Sequence, residues 1–109
     1  MALYIVTGNY TPQAFKGMLA NPSDREAEVK PIVEEVGGRV VSYLFTTGDS
    51  DFSMVVETDD VEGMLSALMV AGASGTVSNL KTVQAFTSAQ FVDAQKRAGS
   101  VAAKYKAAG

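Results

Sequence analysis

Cysteine and histidine are both absent from the 109 residues. Without cysteine the chain has no disulfide, no thiolate nucleophile, no iron–sulfur ligation and no cysteine-type zinc site. Without histidine it lacks the commonest general base, the commonest metal ligand and the usual proximal haem ligand. Acid–base chemistry would fall to carboxylates, tyrosine or lysine, and a soft transition metal has no conventional ligand set. We therefore expect neither a metal nor a bound cofactor. Charge is scarce as well. Charged residues make up 19% of the chain and the net charge is −3, which gives no long-range attraction for phosphate backbones. Nucleic acid is not an expected partner. The one basic cluster, Lys96, Arg97, Lys104 and Lys106, is sparsely spaced and reads as a solvated helix face. No apolar run approaches the ~20 residues of a membrane span, and Met1–Asn9 lacks the basic flank and cleavage site of a signal peptide. A cytoplasmic protein without membrane attachment is the expectation.

What is present is a moderately apolar chain, 47% hydrophobic, which is too apolar and too weakly charged for disorder. The length fits one domain, expected over residues 1–95, with a helical tail over 96–109. Ala2–Thr7 reads as a strand stopped by Gly8-Asn9. Thr11-Pro12 offers an N-cap followed by proline at the first helical position, and Phe15, Met18 and Leu19 recur at helical spacing. Asn21-Pro22 interrupts this helix. Ser23–Glu26 has the form of a capping box opening a second segment, with Val29, Ile32, Val33 and Val36 on one face and Pro31 inside it. Gly37-Gly38 closes it. Arg39–Thr47 and Phe52–Thr58 read as strands around the turn Gly48–Asp51. Asp59-Asp60 caps a helix over Val61–Ala73 with Met64, Leu65, Leu68 and Met69 as its buried stripe. Leu80–Phe86 is a fourth strand. Thr87–Gln90 is a further capping box, opening a terminal helix that frays toward Gly109.

The order β-α-β-β-α-β plus a terminal helix predicts an α+β, ferredoxin-like fold with a four-stranded antiparallel sheet and helices on one face. Strand composition adds a second expectation. Leu3 and Ile5 alternate with Tyr4 and Val6, and Val40 and Leu44 with Val41, Tyr43 and Phe45. A half-solvated sheet would alternate apolar with polar residues, so both faces are expected to be covered. Helices can cover one face. A partner sheet is the simplest cover for the other, which makes the protein a homo-oligomer, at least a dimer, with Val41, Tyr43 and Phe45 at the interface. The alternative is that the terminal helix folds under the sheet of its own chain.

Several separated segments, in order, carry a family resemblance. They are the first strand running into GNYT, Ala20–Arg25 (ANPSDR), Gly37-Gly38, the strand–turn–strand YLFTTGDSDFSMVVE, and Ser74–Leu80 with Thr82. Over about residues 2–95 the chain resembles the GYD domain family. In the namesake motif Gly48 and Asp51 match, whereas Ser50 occupies the tyrosine position, so a role that needs that phenol does not carry over. The resemblance implies the dimeric α+β barrel architecture, in which two sheets pack face to face, and no particular reaction.

Candidate chemistry is thin. Glu57, if it faces a cavity, would be a general base with a raised pKa; at an exposed strand end it would be a solvated carboxylate. Tyr4 and Tyr43 on the sheet faces can orient a ligand through a buried phenol, or simply pack with the hydroxyl at a rim. Lys81 on the fourth strand can pair with an anion or guard an edge. Asn9, Tyr10 and Arg25 sit in segments that can line a cleft mouth, although turn and capping chemistry also explains Asn9. Asp49, Asp51, Asp59 and Asp60 lack calcium-loop spacing and fit turn and N-cap roles. Two functional readings follow. One is a non-catalytic oligomeric small-molecule binder or assembly module. The other is a cofactor-independent isomerase or monooxygenase with a pocket beside the sheet and Glu57 or a tyrosine as proton acceptor. A buried Glu57 beside a cavity would favour the enzyme; a solvated Glu57 with a filled core would favour the binder or scaffold.

Overall fold

In the computed structural model, which describes residues 1–109, four strands form one antiparallel sheet. β1 is Ala2–Tyr10, β2 Arg39–Phe45, β3 Phe52–Thr58 and β4 Val77–Ala85, in the spatial order β2-β3-β1-β4. This is the ferredoxin-like order that the split β-α-β pattern implies. Helices α1 (Pro12–Ala20) and α2 (Arg25–Glu35) join β1 to β2, α3 (Val61–Ala73) joins β3 to β4, and α4 (Ser88–Ala102) follows β4.

The caps explain most boundaries. Thr11 Oγ1 accepts from the Ala14 amide with Pro12 in the first turn of α1. Asp60 caps α3 through the Gly63 amide, and Thr87 with Gln90 forms the capping box of α4. The Ser23 capping box does not form. Asp24 is the cap of α2, accepting from the Ala27 amide, and Ser23 instead accepts from Arg25. At the end of α2 the Gly38 amide reaches the Val33 carbonyl and the Gly37 amide the Glu34 carbonyl. Gly37 adopts φ +81°, the left-handed conformation this termination requires.

Two strands run longer than their composition implies. β1 continues through Gly8-Asn9 to Tyr10, because Gly8 pairs with Phe52 and the Phe52 ring fills the space above it: a Cβ on Gly8 would meet that ring at 2.8 Å. β4 starts at Val77, and the irregularity opposite Gly8 is absorbed by Asn79 at φ 56°. A second bulge changes the faces of β2. Val40 opposes Val56, but Ser42 opposes Val55, so Val41 is the extra residue. Val40, Tyr43 and Phe45 therefore share the helix-facing side and Leu44 lies on the open side. The strict alternation that put Tyr43 and Phe45 on the face opposite Val40 does not hold.

The core is thin. Eleven of 109 residues are buried, and of the large side chains only Val6 and Thr58 are almost completely enclosed. α3 contributes no buried residue; Leu65 and Met69, expected inside, face solvent at 57% and 67% exposure. The terminal helix passes unbroken through the expected boundary at residue 95 and is exposed along its length. The longest dimension is 60 Å and the radius of gyration 17.9 Å, against ~13 Å for a compact chain of about this length. α4 thus projects from the body and does not lie under its own sheet. No helix is long and apolar enough to cross a membrane.

Candidate functional site

Between α1–α3 and the sheet lies a cavity of about 710 Å³. This is within the range of small-molecule sites. Val6, Met54 and Val56 form its floor, and Met18, Val33 and Leu68 are among the helix residues over it. Its existence accounts for the half-buried inner residues of α3: there is no close-packed layer beneath them. Nineteen of its 28 lining residues are hydrophobic, so its affinity for any occupant would come mainly from apolar burial.

One end is polar. β1 carries Tyr10 to this end, and the β2 bulge turns Tyr43 toward it. Their hydroxyl oxygens are 2.6 Å apart, and either can donate. Both rings pack on Phe52, with centroids 5.3 Å (Tyr10) and 5.7 Å (Tyr43) away; Phe15 meets Tyr10 edge-on at 5.7 Å. Asp51 anchors this arrangement. Its Oδ2 accepts from the Tyr10 amide at 2.9 Å, and its own amide donates to the Gly8 carbonyl at 2.8 Å. The aspartate of the Gly48–Asp51 turn is thus a structural pin between that turn and β1. Arg25, in the first turn of α2, completes the polar end. Its positive charge lies close enough to favour ionisation of Tyr10, and it donates to Ser23 at 3.3 Å.

Burial raises the pKa of Tyr10, with Arg25 and the Tyr43 hydrogen bond opposing it. Burial raises Tyr43 still more, and the hydrogen bond and charge of Tyr10 push it the same way. Both phenols are consequently neutral donors near pH 7, and neither is a proton acceptor there. The proton on Tyr43 is held more tightly in the folded state than in the unfolded one. Its stabilisation is therefore intact below the ordinary phenol pKa of about 10 and is lost as pH rises through the raised folded value. Denaturation midpoints are expected to fall as pH climbs past about 10, and Tyr43→Phe should flatten that fall. Spectrophotometric titration should show the phenol that ionises at the highest pH vanish in Tyr43→Phe; an unchanged profile would contradict the buried pair.

The remaining candidates lie elsewhere. Glu57 is on the open face of β3, since Phe52, Met54 and Val56 face the helices. Its Oε2 lies 3.3 Å from Arg39, and its side chain is 27% exposed. The cavity is on the other side of the sheet, so Glu57 is not a cavity carboxylate. Tyr4 is buried on the helix side without lining the cavity, and Lys81 is exposed on the open face of the edge strand β4. Asn9 lies in β1 and ties it to its neighbours: its Nδ2 donates to the Asp49 carbonyl, and its Oδ1 accepts from Asn79. Asp49 and Asp51 lie at one end of β3 and Asp59 and Asp60 at the other, so they do not converge, and no group of three carboxylates comes together anywhere in the chain. The Tyr10–Tyr43 contact was not legible in the sequence, because the Val41 bulge that creates it leaves no mark in the residue pattern.

Comparison with known proteins agrees with this architecture. The crystal structure of TTHA0845 from Thermus thermophilus superposes with a TM-score of 0.51 at 19% identity, covering 81% of this chain and 96% of that one. At that identity the likeness concerns the fold. A search of curated proteins gives no match. The GYD domain family profile matches residues 4–95, which is most of the chain and includes the polar end of the cavity. This protein belongs to the GYD domain family.

Proposed function

We propose that the protein binds a small, largely apolar molecule in the cavity between α1–α3 and the sheet. The observation that carries this reading is the unfilled apolar space of about 710 Å³ at the centre of a domain with eleven buried residues. Interiors are normally close-packed, with few voids larger than a water molecule. A chain that leaves this much apolar lining unopposed gains stability from an occupant that binds only the folded state. Binding is favoured over turnover because the cavity has no convergent acid–base pair: Glu57 is on the opposite face and both phenols are protonated. The experiment is titration with the neutral fluorescent probe N-phenyl-1-naphthylamine. Saturable uptake, abolished by Leu68→Trp in a protein that keeps its circular dichroism spectrum, is the expected result. No uptake by the wild type would overturn the reading.

A second observation supports an assembly role beside the first. The open face of the sheet presents Leu3, Ile5, Leu44, Val55 and Val83, with Leu44 62% and Val83 58% exposed. Four strands of this length give a face of roughly 450 Å² from standard strand spacing and rise. Two such faces together bury about 900 Å², just short of the ~1,000 Å² a specific interface should clear. The exposed apolar side of α4, with Phe91 at 61% and Val101 at 65%, offers further area. The occupant that fits this face is a second copy of the chain. On this pairing the interface comprises the open-face residues; Tyr43 and Phe45, on the helix side of the sheet, lie outside it, and Val41 sits at the bulge.

A further inference from the structure

The polar end of the cavity is rich in hydrogen-bond donors. In the Tyr10–Tyr43 pair one hydroxyl donates to the other, so the accepting phenol keeps its own hydrogen, and no other side-chain partner holds it. Arg25 brings five N–H donors in a planar fork. One of them is directed at Ser23, and the guanidinium takes part in none of the three ion pairs of the chain. Asp51, whose charge also reaches Tyr10, takes the Tyr10 amide on Oδ2 and forms no ion pair with Arg25. Among the lining residues the only other formal charge is Glu28, which is exposed.

We infer that the cavity selects molecules whose apolar body ends in a carboxylate, with the anionic oxygens held between the Arg25 guanidinium and the free hydroxyl hydrogen of the Tyr10–Tyr43 pair. This rests on the cavity being a ligand site, and it adds the chemical class of the ligand. A planar carboxylate matches the guanidinium fork, and hydrogen bonds to an ionised group are about twice as strong as neutral ones. Phe52, which lines the cavity and packs on Tyr10, suits an aromatic or branched apolar body next to the acid.

The test is competition against N-phenyl-1-naphthylamine by 2-naphthoate and by 2-naphthamide, which share shape and differ in charge. The full-length wild type at neutral pH should bind the acid at least about tenfold more tightly than the amide. Arg25→Gln, in the half-exposed first turn of α2 where the fold is not at stake, should lose that preference while still taking up the dye. The double variant Tyr10→Phe with Tyr43→Phe should reduce it. Equal displacement by the two competitors, or a preference that survives Arg25→Gln, would overturn the inference and leave the apolar cavity site standing. Failure of the wild type to take up the dye would remove both.

Discussion

Phe52→Ala is expected to destabilise the protein by about 3–5 kcal/mol. Phe52 is 3% exposed and opens β3 opposite Gly8 and Phe45. Its ring is the common surface on which Tyr10 and Tyr43 pack, and each such aromatic pair adds about 0.5–1.5 kcal/mol beyond area burial. Collapse of the surroundings usually softens a large-to-small substitution. Here the vacated volume would merge with the existing cavity, and Gly8 has no side chain to move in. Small domains have only about 5–15 kcal/mol in total, so the variant should lose a large part of its folding stability. Urea denaturation is the measurement. A loss below about 1 kcal/mol would mean that the aromatic cluster is not the anchor of the core.

The other large effect concerns assembly. Ile5 lies at the centre of the open face, directly between Val55 and Val83. Ile5→Asp would place a carboxylate in the middle of an apolar sheet–sheet contact, beside Val55 and Val83. Burying an unpaired charge is costly enough to abolish such an interface. In the free monomer the same side chain is only half-buried, so the fold should survive. Light scattering is expected to give a dimer for the wild type at micromolar concentration and a monomer for Ile5→Asp, with unchanged circular dichroism. A monomeric wild type would end the pairing argument. A dimeric Ile5→Asp would move the contact to another surface, of which the apolar side of α4 is the most exposed.

What was legible in the sequence was local. Thr11-Pro12, Asp60, Thr87 with Gln90, and Gly37 each satisfy backbone groups within a few residues, so their meaning does not depend on the rest of the fold. The element order then constrained the sheet topology, because split β-α-β units have few unknotted arrangements. Apolar residues on both faces of β1 were also readable, and Leu3 and Ile5 do lie opposite Tyr4 and Val6.

Long-range placement was not readable. The Val41 bulge shifts every later residue of β2 to the other face, and pleat alternation cannot reveal a slip of one residue. That slip brings Tyr43 to Tyr10, which is 33 residues away in sequence. Pattern alone assigned Met64, Leu65, Leu68 and Met69 to one buried stripe, but the rotation of α3 over the sheet turns only Met64 and Leu68 inward, toward the cavity, and leaves Leu65 and Met69 in solvent. Glu57 was a candidate base only while the side of the cavity was unknown; the register of β3 places it on the far face. By itself, then, the sequence determined where elements begin and end, their order, and which chemistries its composition excludes. The tertiary structure decided which side chains meet, because a contact between residues far apart in sequence depends on register, bulges and layer spacing, to which all the intervening chain contributes.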